Sequence, residues 1–156
     1  MKESWKKLLI ALAIPLGVGG LSALLSGGGM KAFEQMNKPP RSPPGWLFPV
    51  VWTVLYLAMG LASYLVSEAN VPAGEKHRAL RAYALQLVFN FFWSILFFRF
   101  GLYYTSFVWL VALWVLILVT AVRFCRIDRR AGVLLIPYLL WVTFAGYLNL
   151  GVAMLN

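Results

Sequence analysis

Five apolar stretches, at about residues 8–26, 46–67, 82–98, 105–122 and 132–155, are each long enough to cross a hydrocarbon layer roughly 30 Å thick. Inside such a layer no water satisfies a backbone N–H or C=O, so each stretch must close its hydrogen bonds within itself, as a helix. The expected fold is therefore an all-α membrane protein, a compact bundle of five transmembrane helices. With 62% hydrophobic and only 12% charged residues among 156, the connections are too short for a separate soluble unit, and residues 1–156 read as a single domain. The first stretch also has the basic start and apolar run of a secretory signal peptide. Its apolar character continues through residues 21–25 with no clean small-x-small cleavage site, so it is counted as the first span. Pro15, Gly17, Gly19 and Gly20 within it permit bending and close helix approach.

Positive charge sets the expected orientation, since Lys and Arg are retained on the cytoplasmic side. Lys2, Lys6 and Lys7 precede the first span; Lys76, Arg78 and Arg81 precede the third; and Arg123, Arg126, Arg129 and Arg130 precede the fifth. The opposite face has four cations, Lys31, Lys38, Arg41 and Arg99. The N-terminus is thus expected in the cytoplasm and the C-terminus outside. A net charge of +9 spread over loops fits topology and anionic lipid, with no nucleic-acid partner. The single cysteine, Cys125, and single histidine, His77, form no metal cluster, and no metal is expected. The five carboxylates lie in loops or at helix ends, which argues against an ion-coupled pump. No phosphate-binding loop or nucleophile elbow is present.

Polar and aromatic residues at helical spacing remain. Trp52 and Tyr56 are neighbours on the second span; Gln86, Asn90 and Trp93 share a face of the third; Tyr138, Trp141, Ala145 and Asn149 share a face of the fifth. Interhelical packing accounts for each face alone, but the expected topology brings all three to similar depth in the outer half. Above them runs a loop, about residues 27–44, ending in NKPPRSPPGW. Proline fixes φ and lacks an N–H, so Lys38, Pro39, Arg41, Pro43 and Pro44 belong to a stiff strap that cannot become helix. It reads equally as a lid over the polar-aromatic cluster and as a spacer that positions the second span. A PxxP ligand for an outside partner is a third reading.

These residues resemble the translocator protein family, TspO/MBR, formerly the peripheral benzodiazepine receptors, in a bacterial form. The resemblance rests on Asn37-Lys38-Pro39, Pro43-Pro44-Gly45-Trp46, Phe48-Pro49, Trp52-Thr53 and Leu55-Tyr56. It continues through Gln86, Asn90, Trp93, Phe97-Phe98, Ala131-Gly132, Pro137-Tyr138, Trp141, Ala145 and Leu148-Asn149. It implies a five-helix bundle, often a homodimer, whose cavity is closed by the first long loop. The implied ligands are protoporphyrin IX, other tetrapyrroles and flat hydrophobic molecules, with no cofactor required. By the resemblance, Trp52, Asn90, Trp93, Trp141 and Ala145 line that cavity and Pro43 belongs to its cover. Arg41 stands where relatives often carry an aromatic, and is placed either against a porphyrin propionate or in solvent. No Lys or Arg follows Tyr147, so the cholesterol motif of animal members is not supported.

Three functions follow as expectations. The favoured one is a tetrapyrrole-binding protein that senses, sequesters or translocates its ligand. The second is a light-dependent porphyrin-degrading enzyme, with Trp52 and Trp141 exchanging electrons with the excited ring. The third is a dimeric scaffold that signals through a partner, with the fourth span, bearing Trp109 and Trp114, as a lipid face or dimer seam. The expected location is the bacterial inner membrane, with an outer membrane as the other possibility.

Overall fold

The computed structural model describes residues 2–27 and 35–156, so the part of the expected lid loop at residues 28–34 lies outside the described residues. Among the described residues these α-helices follow in order: α1 (Lys2–Leu25), α2 (Leu47–Ser67), α3 (Ala73–Ser94), α4 (Tyr103–Ile127), α5 (Arg129–Leu134) and α6 (Ile136–Leu155). A π-helical turn, Ile95–Arg99, prolongs α3, and α5 and α6 together make one crossing. Among the described residues, five segments are long and apolar enough to span a membrane, as expected. The packing order around the bundle is α1, α2, α5–α6, α4, α3 and back to α1.

Several boundaries differ from those expected: α1 begins at Lys2 instead of residue 8, and α4 runs on to Ile127 instead of residue 122. The third span begins at Ala73 instead of residue 82, because the polar run AGEKHRALR continues the same helix beyond the apolar stretch. The last crossing is broken at Leu135. Asp128 accepts a hydrogen bond from the Arg130 backbone N–H at 3.0 Å and caps α5, and Pro137 starts α6 where its missing N–H costs nothing. The Arg130 guanidinium, hydrogen-bonded to Asp128, holds that carboxyl below its ordinary 3.8.

Close helix approach is set by small residues. A Cβ on Gly60 of α2 would lie 2.7 Å from the Ala11 carbonyl oxygen of α1, so glycine lets these two helices touch through their backbones. Most of α1 nevertheless faces outward, with 11% of its apolar window buried. The core lies instead among α2, α3, α4 and α6, where Met59, Leu113, Ile117, Phe124 and Val152 are fully buried. On α4 the two tryptophans are engaged within the bundle, while Val108, Val111, Val115 and Val122 stay exposed on its outer side. Trp109 stacks on Phe89 at 4.3 Å and donates to the Phe89 carbonyl at 2.8 Å, and Trp114 donates to Thr143 Oγ1 at 2.8 Å. α4 is thereby fastened to α3 on one side and α6 on the other.

Candidate functional site: an aromatic cavity at the strap end

Three helix segments border an open space at the end of the bundle that carries the strap. They are the C-terminal half of α1, the N-terminal half of α2, and the end of α3 with its π turn; they enclose a cavity of about 610 Å³. On α2 its wall is formed by Phe48, Trp52 and Tyr56, spaced by four residues and so on one face. On the third span it is formed by Trp93, Ser94 and Phe98. The α1 wall is a run of small residues, Gly19, Ser22, Ala23 and Ser26, at i, i+3, i+4 and i+7. Gly19 packs tightly, since a Cβ there would overlap the Tyr56 ring, whereas a Cβ on Gly20 would meet nothing within 4 Å.

Behind the wall the polar side chains are bonded to one another. Tyr56 Oη donates to Asn90 Oδ1 at 2.8 Å, Asn90 Nδ2 donates to Tyr138 Oη at 2.8 Å, and Tyr138 Oη donates to Gln86 Oε1 at 2.6 Å. This chain joins α2, α3 and α6 and anchors the Tyr56 ring, on which Trp52 stacks at 5.6 Å. Trp93 is held in the same way: its Nε1 donates to Asn149 Oδ1 at 2.9 Å, and Asn149 Nδ2 donates to the Tyr103 carbonyl at 2.7 Å. Bonded rings are pre-oriented rings. The wall therefore offers flat aromatic faces whose geometry is set from behind, together with the hydroxyls of Ser22, Ser26, Thr53 and Ser94.

Of the residues singled out from the sequence, Trp52, Tyr56 and Trp93 line this cavity. Gln86, Asn90, Tyr138 and Asn149 form the supporting shell, and Ala145 is packed in the core. Trp141 lies elsewhere. With Val51, Val54, Leu55, Leu140 and Phe144 it lines an open apolar groove between α2 and α6 on the outside of the bundle, and Phe48, edge-on to it at 5.7 Å, separates groove from cavity. Among the described residues the buried indole Nε1 of Trp141 finds no hydrogen-bond partner, and neither does Gln86 Nε2. The whole α1 wall was missed by the sequence reading, although its small-residue spacing was visible.

The strap docks on the end of α6. Tyr147 Oη donates to the Pro40 carbonyl at 2.7 Å, Asn156 Nδ2 donates to the Asn37 carbonyl at 2.8 Å, and the Pro39 ring sits on Gly151, where a Cβ would come within 2.5 Å. Arg41, exposed, takes a left-handed φ of 67° in the turn that the Ser42 hydroxyl closes onto the Pro39 carbonyl at 2.7 Å. Among the described residues Lys38, Pro39, Arg41, Pro43 and Pro44 do not line the cavity.

A family model, the TspO/MBR family, matches residues 11–155. The chain is 39% identical over 124 residues to the tryptophan-rich protein TspO of Chlorobaculum tepidum, covering 80% of this chain and 78% of that one. It is 37% identical over 124 residues to the tryptophan-rich sensory protein of Cereibacter sphaeroides, covering 80% and 76%. Against the translocator protein of Ovis aries it is 35% identical over 133 residues, covering 80% and 75%. With that match over nearly its whole length, on a bundle of five membrane-spanning segments, the chain belongs to the TspO/MBR family.

Proposed function

We propose that this protein binds tetrapyrroles of the protoporphyrin IX type, and other flat hydrophobic molecules, within the membrane, in order to sense, sequester or translocate them. One observation carries the reading. The 610 Å³ cavity is walled by Phe48, Trp52, Tyr56, Trp93 and Phe98, and its volume lies in the range of roughly 300–1,000 Å³ usual for small-molecule sites. Stacked rings with a few hydroxyls complement a planar aromatic guest better than a flexible chain. Family membership supports the same reading, since relatives carry sensory and translocator names. The bundle is placed in the inner membrane with its basic end in the cytoplasm, as a homodimer.

Light-dependent porphyrin breakdown is the second reading, favoured by the stack of Trp52 on Tyr56 and the edge contact of Trp52 with Tyr138 at 6.1 Å. It ranks lower because Trp141, the other indole it calls on, faces the outer groove.

The test is a porphyrin titration of purified protein in the dark, followed by tryptophan fluorescence quenching. Trp52→Ala is expected to weaken saturable binding about tenfold through loss of a stacking face, whereas Trp141→Phe leaves it within about twofold. Equal non-saturating uptake by all three proteins would show partition into detergent and overturn the reading. Many equivalents converted per protein under light would promote the enzyme reading.

A further inference from the structure

We infer that Arg99 makes the mouth of the cavity an anion-reading site, so that the preferred guest is an amphiphile whose flat apolar body lies among the rings and whose carboxylate lies at the strap end. The inference rests on the cavity reading proposed above and deepens it.

The π-helical turn Ile95–Arg99 places two successive side chains in different settings. Phe98 lines the cavity, and Arg99 reaches across to the end of α1, where its Nη1 donates to the Leu25 carbonyl at 3.1 Å. The next residue of α1's end, Ser26, lines the cavity, and Gly27 follows with a left-handed φ of 58°; a Cβ there would lie 3.9 Å from Arg99 Nη1. Arg99 is not itself a lining residue, but its guanidinium lies next to Ser26 and Phe98, which are, and so beside both the α1 and α3 walls. One of its five N–H groups is used on a neutral carbonyl, and Arg99 forms no ion pair with a described residue. The described ion pairs, Lys7 with Glu68 and Arg130 with Asp128, are at the opposite, basic end of the bundle.

The π turn itself has a structural reason to persist. Its wider winding is closed by the Phe100 N–H on the Ile95 carbonyl at 3.1 Å and the Leu102 N–H on the Leu96 carbonyl at 3.0 Å, with Gly101 at a φ of 62°. One extra residue in a turn shifts all side chains after it around the helix axis. That shift lets a cavity-lining Phe98 be followed by a rim Arg99. Within the cavity wall the polar groups are neutral, and among the described residues Arg99 brings a cation up against both the α1 and the α3 walls, where a carboxylate would find a charge-assisted partner. Arg41, the other exposed cation of the strap end considered for this role, is in the turn fastened over α6.

The experiment is a paired dark titration with protoporphyrin IX and its dimethyl ester, which share the ring and differ in the two carboxylates. Wild type is expected to bind the acid at least about tenfold more tightly than the ester. Arg99→Gln, which keeps donors for the Leu25 carbonyl, should bring the two within about twofold by weakening the acid alone, and Arg99→Lys should retain most of the preference. An unchanged acid-to-ester ratio in Arg99→Gln, with saturable binding of both, overturns the inference and leaves the cavity reading standing. Loss of the preference in Arg41→Gln but not in Arg99→Gln puts the anion site in the strap and likewise overturns it. Non-saturating uptake of both compounds by wild type defeats the cavity reading and this inference together.

Discussion

Asn90 uses its amide in both directions, accepting from Tyr56 and donating to Tyr138, and so holds α2, α3 and α6 at one point. Buried polar groups that lose a partner in a membrane bundle cost about 1–2 kcal/mol or less, because the separated helices also find partners. Asn90→Leu should lower stability by about that amount in thermal unfolding of the detergent-solubilised protein, by stranding the Tyr56 hydroxyl and removing the bond that the Tyr138 hydroxyl accepts, while Tyr138 still donates to Gln86. Tyr56→Phe combined with it should cost less than the sum of the two single changes, since the same hydrogen bond is removed in both. Strict additivity would show that the chain is not coupled. The periodicity that put Asn90, Trp93 and Tyr138 on inward faces was legible in the sequence. Trp141 shows where that stops: it shares a face with Tyr138, Ala145 and Asn149 by count, yet its indole meets Phe48 and Phe144 and borders the outer groove. A side chain at the edge of a helical stripe is assigned by the shape of the neighbouring helix, which periodicity does not contain.

Among the helices, α1 is seated on α2 through glycines. Its backbone meets α2 at Gly60, and nearer the strap end Gly19 packs against the Tyr56 ring at the edge of the cavity. In Gly60→Ala the new methyl has backbone in front of it, the Ala11 oxygen at 2.7 Å and the Leu12 Cα at 2.8 Å, so the helices must separate. The expected cost is about 1–3 kcal/mol, read as a lower unfolding temperature, with weakened porphyrin binding in the same preparation. Wild-type stability in Gly60→Ala would mean that α1 moves without penalty. The small residues of α1 carried this information in advance, since Gly19, Ser22, Ala23 and Ser26 are spaced as one helical stripe. What the sequence left open was the stripe's use, because small residues serve equally for close packing and for leaving space. In this bundle Gly60 on α2 and Gly19 on α1 mark the close packing, and Ser22, Ala23 and Ser26 border the space.

At the scale of the molecule, the distribution of charge distinguishes the two ends of the bundle. The start of α3, with Lys76, Arg78 and Arg81, and the helix ends that meet at Asp128, with Arg123, Arg126, Arg129 and Arg130, hold cationic clusters, while the strap end holds far fewer cations. Insertion with the basic end in the cytoplasm is the expected outcome. A cysteine placed at Gly74, where a side chain meets nothing within 4 Å, should be protected from an impermeant thiol reagent in intact cells and labelled after lysis, in a background where Cys125 is replaced by serine. Labelling in intact cells would reverse the orientation. The number of spans, their helical state and their membrane setting were determined by the sequence alone. Those properties follow from the length and hydropathy of contiguous segments, and a segment in hydrocarbon has no means of satisfying its backbone except as a helix. The enclosure of the cavity by α1, α2 and α3, the retreat of Asn90 and Asn149 into its support, the exclusion of Trp141, the latch of the strap on α6 and the arrival of Arg99 at the rim were decided only in three dimensions. Each depends on which helices become neighbours and how closely they approach, and a π turn or a glycine contact changes that geometry without altering the hydropathy from which the spans are read.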